Sequence, residues 1–266
     1  MKKTIEKWYK ILEFPKEFDA EFYSALENFI EEEIDCDTYD LDSKDGKKNL
    51  LSYLYFCEKA YNDYIGAGID GEIAIATLKD IVIWCENWTK VYGTLCLFEL
   101  AWLKHHLKME IFRLGRLQFT MNDALLDVSK YNLKQGDKVL GIHIPRGEKL
   151  SVEDVRVSIE MAQRFFSKHY PEYNYKAFTC NSWMLDDNLK EYLPNTSNIL
   201  AFRNLFDCYS KLQVNRLLKF IFTVDTNDNN IKEKEPSSSF AKKIKDAVLS
   251  GKEFYEVYGV LKDFNE

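Results

Sequence analysis

The chain has 266 residues, a formal net charge of −7, 46% apolar residues and 15% aromatic residues. This length suits two domains, and the apolar content is sufficient for a buried core, which excludes a disordered chain. The negative charge and the lack of a long basic stripe exclude nucleic acid as an expected partner, because a phosphate backbone is bound by clustered Lys and Arg.

Apolar residues recur at helical spacing through the first part of the chain. The predicted helices cover residues 5–12, 18–29, 50–64, 73–92 and 94–107. An acidic connector over residues 31–45 separates the second helix from the third, Asp70 is the predicted N-cap of the fourth, and Gly93 is its predicted end. Without a strand pattern among them, residues 1–108 are predicted to form an all-helical domain.

The pattern changes after Met109 and predicts strands alternating with helices. Strands are predicted at residues 111–119, 138–144, 173–185, 217–224 and 254–260, and helices at 151–166, 188–193, 197–209 and 240–249. Gly115 predicts a bulge or a close approach within the first strand, and Ser151 with Asp154 forms a predicted capping box. Such alternation favours at least one parallel strand pair. Residues 109–266 are therefore predicted to form an α/β domain, which makes the whole chain α+β.

Cysteine usage and apolar runs indicate the compartment. The six cysteines are widely spaced and form no C-x-x-C pair, a pattern typical of core thiols and not of a disulfide framework. The first residues lack the apolar segment of a signal peptide, and the longest apolar runs are too short to cross a bilayer. We therefore expect a cytoplasmic protein outside the membrane. The scattered His and Cys residues lack ligand spacing, so no metal is predicted.

Several segments of the second domain occur in a characteristic order. They are Leu114–Phe119, Ile142–Pro145, Cys180–Leu185, Ser197–Ile199 and then Phe202. In combination they resemble the bacterial acyltransferase-like family that joins a helical N-terminal domain to a GNAT-like C-terminal domain, and the resemblance extends over nearly the whole chain. It implies a mixed sheet and acetyl-CoA or another acyl-CoA as cosubstrate. It also implies that the strands holding His143 and Cys180 separate to admit that cosubstrate.

The segment over residues 145–151 corresponds to the loop on which GNAT enzymes usually bind the CoA pyrophosphate. That loop usually has the pattern Q/R-x-x-G-x-G/A and offers backbone N–H groups at a helix N-terminus. Here it has one glycine, and Glu153 and Asp154 compete with phosphate for the positive end of the helix dipole. The resemblance assigns Arg146 and Gly147 to CoA binding despite this departure.

Three other polar residues have both a binding and a structural interpretation. Asn198 begins a predicted helix, where capping is the common role, although GNAT helices at this point often present an Asn to the cofactor. Arg116 and Gln118 alternate onto one strand face and either meet solvent or line a pocket. The resemblance favours a substrate-binding pocket for this pair.

His143 is the candidate general base, because imidazole titrates near neutral pH. The alternative is a buried histidine bonded to the backbone. Cys180 and Ser182 share a strand face, and if that face meets His143, a Cys–His arrangement is able to form a covalent acyl intermediate. The alternatives are a packed core thiol and a locally hydrogen-bonded serine.

These features lead to three hypotheses of function. The main prediction is transfer of an acyl group from acyl-CoA to a small acceptor, an amine, with His143 as base directly or through water. The second is a non-catalytic GNAT-like scaffold that has lost CoA and binds a ligand or a protein, which the single-glycine loop favours. The third is a transferase or hydrolase that depends on Cys180, which the reactivity of that thiol tests.

Overall fold

The computed structural model describes residues 1–30, 44–213 and 216–262. They belong to two compact units, Met1–Arg113 and Leu114–Glu266. The predicted acidic connector lies mostly outside the described residues, as does Cys36. Within the described ranges, no helix is both long enough and apolar enough to cross a membrane.

Helices make up most of the first unit. They are α1 (Lys2–Ile11), α2 (Asp19–Glu27), α3 (Gly46–Gly66), α4 (Gly71–Leu78), α5 (Asp80–Tyr92) and α6 (Leu100–Leu107). Their apolar stripes pack into one core that contains Trp8 and Leu54. The predicted cap is confirmed, since the Asp70 carboxylate accepts a hydrogen bond from the amide of Glu72 at 2.7 Å. The helix end at Gly93 is also confirmed, with a left-handed φ of 68°.

The predicted helix over residues 73–92 is two helices, because the chain bends at Lys79 between α4 and α5. The bend puts Asp80 in the first turn of α5. Its buried carboxylate accepts hydrogen bonds there from the indoles of Trp84 at 3.0 Å and Trp102 at 3.1 Å. Hydrophobic periodicity is insensitive to a buried polar group of this kind, so the pattern predicted one continuous helix.

The helix predicted over residues 94–107 begins only at Leu100. Leu95 and Leu97 before it are buried at alternate positions. The amide of Leu97 donates to the carbonyl of Gly46 at 2.9 Å. This bond to a distant backbone group replaces the helical bond that the apolar pattern predicted.

Residues 111–261 contain a six-stranded mixed sheet. Its strands are β1 (Ile111–Leu114), β2 (Leu117–Asp123), β3 (Lys138–His143), β4 (Phe178–Ser182), β5 (Phe206–Gln213) and β6 (Tyr255–Leu261), in the order β1-β2-β3-β4-β6-β5. The remaining helices in the described ranges are α7 (Val152–His169), α8 (Asn198–Arg203), α9 (Leu217–Ile221) and α10 (Ser239–Leu249). β3 and β4 are parallel, which confirms the predicted parallel pair.

The helix after β3 begins at the predicted capping box. The Ser151 hydroxyl accepts from the amide of Asp154 at 3.0 Å, and the Asp154 carboxylate accepts from the amide of Ser151 at 3.2 Å. Val155 and Ile159 belong to the buried stripe of α7. Local capping chemistry and apolar spacing agree here, so this helix was predictable from the sequence.

One predicted element is too long, and another is of the wrong type. The helix predicted over residues 197–209 ends at Arg203, and β5 begins at Phe206. The strand predicted over residues 217–224 is instead the short helix α9. Short apolar runs fit both a helix and a buried strand, so tertiary pairing decides between them. In β5 that pairing is with β6, beginning with Phe206 opposite Leu261.

Two other predicted strands differ from the structure, one because it is divided into two and the other because it is shorter. The strand over residues 111–119 is divided into β1 and β2 at Gly115, whose φ of 67° favours glycine. A Cβ at this position would lie 2.9 Å from Ser158 Oγ, so the glycine permits a close approach and is not in a bulge. The strand predicted over residues 173–185 is β4 alone, because the chain enters a 3₁₀ helix at Trp183.

Candidate active site

The pairing between the parallel strands β3 and β4 ends near their carboxyl ends. Their register pairs Leu140 with Phe178, Gly141 with Thr179 and Ile142 with Cys180. Beyond this point β3 remains paired with β2 through His143, and β4 remains paired with β6 through Ser182. Each strand keeps its outer neighbour for one or two residues after the ladder between the two strands ends, and the separation that the family resemblance implies stays a prediction.

The register also decides which side chains share a face, because directly opposed residues point to the same side of a sheet. His143 is opposite Gln118. Cys180 is opposite Ile142, the chain neighbour of His143, and therefore lies on the other face. Ser182 shares the face of Cys180. The predicted Cys180–His143 arrangement does not form in this structure.

Cys180 and Ser182 have structural environments. Cys180 is buried, and this burial raises the pKa of its thiol, with the nearby Cys208 and Glu256 acting in the same direction. A thiol of raised pKa is a weak nucleophile at neutral pH. The Ser182 hydroxyl accepts from the amide of Met184 at 3.2 Å and caps the 3₁₀ helix that follows β4. Cys180 is therefore a packed core thiol, and Ser182 is a locally hydrogen-bonded serine.

His143 lies partly exposed at the end of β3, beside the point where the pairing with β4 ends. Its Nε2 is 3.1 Å from the hydroxyl oxygen of Thr120, which lies on β2 opposite Gly141. A partly exposed imidazole oriented by a neutral hydroxyl is able to take up and release a proton. Thr120 was missed in the sequence, although period-two spacing from Gln118 puts it on the same face.

Arg116 and Gln118, predicted together, have different environments. The buried Arg116 guanidinium donates to the carbonyl of Lys149 at 2.9 Å and to that of Glu148 at 2.7 Å. Arg116 therefore stabilises the loop that connects β3 to α7. Gln118 is buried. It lies on β2 directly opposite His143 of β3, on the same face of the sheet.

Arg146 and Gly147 lie in that same loop. The Arg146 guanidinium donates to the carbonyls of Lys219, at 3.2 Å, and Phe220, and it lies 5.9 Å above the Phe220 ring. Gly147 is exposed with a φ of 109°, a value that L side chains rarely adopt. A Cβ at position 147 would meet no heavy atom within 4 Å, so the need for glycine is conformational.

The helix N-termini near these residues carry their own caps. In α7, hydrogen bonds from the hydroxyl and the amide of Ser151 lower the pKa of Asp154, so a carboxylate occupies the positive end of this helix. In α8, the amide of Ile199 donates to the hydroxyl of Ser197 at 3.2 Å. Asn198, the first residue of α8, is exposed beside this cap.

A buried carboxyl group that the sequence did not indicate lies on β6. Glu256 is 6% exposed, and its carboxylate is 3.4 Å from the guanidinium of Arg216. Burial raises the pKa of Glu256, and the charge of Arg216 opposes this effect. Strand alternation puts Glu256 on the same face as Tyr258, which is opposite Asn181 of β4.

Comparison with known families bears on the whole sheet. The family model of the GNAT-like C-terminal domain matches residues 111–261, more than half of the chain. The chain belongs to this acyltransferase-like family. The model of the N-acyltransferase N-terminal domain matches residues 2–109. No curated protein matches the chain.

Several solved structures similar to this chain are acyltransferases in complex with CoA compounds. One complex with decanoyl-CoA is 26% identical with a TM-score of 0.69, and the match covers 80% of this chain but only 64% of that one. A complex with decanoyl-CoA and teicoplanin is 21% identical with a TM-score of 0.80, covering 97% of this chain and 87% of the other. A complex with CoA and 10C-teicoplanin is 22% identical with the same TM-score and coverage. At such identities the likeness shows the fold.

Proposed function

We propose that this protein transfers an acyl group from acyl-CoA to an amine of a small-molecule acceptor. The observation that carries the proposal is the end of the β3–β4 pairing at Ile142 and Cys180, directly beside His143. Complexes of the related folds with decanoyl-CoA, octanoyl-CoA and CoA support acyl-CoA as the cosubstrate. The teicoplanin complexes support a small-molecule acceptor.

His143 acts as the general base in the proposed reaction. The acceptor nitrogen attacks the carbonyl carbon of the thioester, so that a C–N bond forms and the C–S bond breaks. The proton lost by nitrogen passes to His143, directly or through water, and the CoA sulfur leaves as a thiolate that takes up a proton. The products are an amide and CoA, and His143 returns to its neutral form.

The remaining predicted site residues are given binding roles. Arg146 and Gly147 meet the pyrophosphate on the loop before α7, and Asn198 contributes from the start of α8. Arg146 exchanges its carbonyl partners for phosphate oxygens on binding. The strand containing Cys180 and Ser182 borders the acyl group, and Gln118 faces the acceptor beside His143. Arg116 contributes to substrate binding through the loop carbonyls that it holds.

Domain organisation and location are part of the same proposal. Residues 1–108 form the helical domain and residues 109–266 the transferase domain of a cytoplasmic enzyme. The non-catalytic scaffold is less well supported, because the related folds bind acyl-CoA in their crystals. The single glycine of the loop does not distinguish the two functions; Gly147 has a φ of 109° there, a value that favours glycine.

Acyl-CoA is expected to stabilise the protein against thermal unfolding. Ligand at 100 times its dissociation constant adds about 2.7 kcal/mol to the free energy of unfolding, which raises Tm measurably. Acetyl-, octanoyl- and decanoyl-CoA are compared at equal concentration to define the acyl chain length. Arg146→Glu is expected to abolish the shift, because it puts a negative charge where the pyrophosphate binds.

Arg156→Glu is the matched control for charge reversal, because Arg156 lies on α7 with its side chain 49% exposed. This variant is expected to retain the Tm shift. Absence of a shift with every CoA compound would contradict the proposal. Release of free CoA thiol upon addition of an amine then distinguishes a transferase from a protein that only binds.

A further inference from the structure

Asn181 is an exposed polar residue on an interior strand of the sheet. β4 is hydrogen-bonded to β3 on one side and to β6 on the other, and the residues before and after Asn181 in the chain, Cys180 and Ser182, are buried. Parallel strands such as β3 and β4 usually have both faces covered. The exposure of Asn181 therefore marks a place where one face of the sheet is open.

The cover of this face is apolar and ends before Asn181. Tyr258, directly opposite Asn181 on β6, is buried in an apolar cluster that also contains Val128, Leu133 and Val139. Val139 lies near the amino end of β3, whereas Asn181 lies near the carboxyl end of β4. The open part of the face is therefore at the carboxyl ends of the two parallel strands.

His143 and Asn181 are the first residues of β3 and β4 after the last pair of their ladder, Ile142 and Cys180. The members of that pair point to one face of the sheet, so the residues that follow them both point to the other face. Neighbouring strands of a sheet lie about 4.8 Å apart, so the two residues are neighbours across the end of the pairing. Asn181 therefore shares the open region with the candidate base.

The side-chain amide of Asn181 is available to a ligand. It forms no hydrogen bond within the described residues, and its two N–H groups are donors. In the proposed reaction, an electron pair of the carbonyl bond moves onto oxygen as the acceptor nitrogen attacks, and it returns when the C–S bond breaks. A donor directed at that oxygen stabilises the negative charge that develops there.

The position of the base defines where this oxygen lies. His143 takes the proton of the attacking nitrogen, so it has to be within hydrogen-bond reach of that nitrogen. The attacked carbon is about 3 Å from the same nitrogen before the new bond forms. The carbonyl group therefore lies beside His143, on the face that Asn181 shares.

We propose that Asn181 is a catalytic residue whose side-chain amide donates a hydrogen bond to the carbonyl oxygen of the acyl thioester. The inference rests on the proposed function, in which acyl-CoA binds where the β3–β4 pairing ends. It gives the two neighbouring residues complementary tasks. His143 removes the proton of the acceptor, and Asn181 stabilises the negative charge on the acyl group.

The kinetic test compares Asn181→Ala with Asn181→Asp. Alanine removes the donor, so kcat is expected to fall about tenfold, the rate equivalent of one ordinary hydrogen bond. Aspartate keeps the shape of the side chain but puts a negative charge beside the developing oxyanion, so kcat is expected to fall about 10²-fold or more. The KM for acyl-CoA is expected to stay unchanged in both variants, because the bond is strongest in the transition state.

Asn174→Ala and Asn174→Asp are the matched controls. Asn174 is also exposed, and it precedes β4, so it lies beyond the amino end of this strand, away from the end of the pairing. Both controls are expected to keep the wild-type kcat. A wild-type kcat in Asn181→Asp would overturn the proposal, because it would show that the amide is only a solvated surface group.

Infrared spectroscopy of a bound, unreactive analogue provides a readout besides activity. The probe is acetyl-CoA with the sulfur replaced by a methylene group and a ¹³C label in the carbonyl. Its C=O stretching frequency is expected to fall on binding to the wild type and to fall less in Asn181→Ala. Equal frequencies in the two proteins would overturn the inference while leaving CoA binding intact. Failure of the analogue to bind to either protein would contradict the proposed function and the inference together.

Discussion

Replacing His143 with Gln is expected to lower kcat about 10²- to 10⁴-fold, the usual contribution of a positioned general base. Glutamine is similar in size and polar, but it does not accept a proton at neutral pH. The KM for acyl-CoA should change little, because in the proposed reaction the imidazole acts on the acceptor nitrogen and not on the CoA moiety. Steady-state release of CoA thiol measures both constants, and the pH profile of kcat/KM should lose its acidic limb.

His169→Gln is the corresponding control within the same unit. α7 has 18 residues, Val152–His169, and at 1.5 Å per residue it is about 27 Å long. His169 therefore lies at the end of the helix remote from the loop that follows His143. This control should retain the wild-type kcat. A His143→Gln enzyme of equal activity would refute the assignment of the base.

Replacing Asp80 with Ala is expected to destabilise the first unit by about 3–5 kcal/mol, because buried donors lose their acceptor. The Asp80 carboxylate accepts from the indoles of Trp84 and Trp102 and lies 3.4 Å from Nε2 of the fully buried His106. Urea unfolding followed by tryptophan fluorescence measures the loss. Asp63→Ala is the control, since Asp63 forms a half-exposed i,i+4 pair with Lys59 and should cost less than about 1 kcal/mol.

The same carboxylate gives the stability a dependence on pH. Burial alone would raise the pKa of Asp80, but hydrogen bonds from His106, Trp84 and Trp102 outweigh it, and the pKa lies below its ordinary value of 3.8. The unfolded chain therefore binds this proton at a higher pH than the folded protein does. The contribution of Asp80 is complete above the unfolded pKa and is lost as the pH falls through the folded pKa. Asp80→Asn should remove this acid-dependent component, and an unchanged pH dependence would contradict the assignment.

The parts of the fold that local chemistry determines were predictable. The capping box at Ser151 and the apolar stripe of α7 are both encoded within a few residues, as is the cap at Asp70. The exchange of helix and strand over residues 197–224 was not predictable, because β5 is defined by its pairing with β6 about 50 residues later. The bend at Lys79 lies beside Asp80, which bonds to Trp102 of α6 at a distance of 22 residues in the sequence.

The candidate site shows the same limit. His143 stands out in the sequence because of its chemistry, and the family resemblance predicted that β3 and β4 separate. Which face Cys180 occupies depends on the parallel register, and one residue of shift would have brought it to the face of His143. Thr120 has no unusual sequence context, and only the antiparallel register opposite Gly141 brings its hydroxyl to the imidazole.

The position of β6 in the sheet has a consequence for synthesis of the chain. Residues Tyr255–Leu261 are translated after the other five described strands, yet they lie between β4 and β5 in the interior of the sheet. Until the ribosome has released them, both neighbouring strands present open hydrogen-bonding edges to other nascent chains. A stop codon shortly before Tyr255 should therefore yield aggregated product.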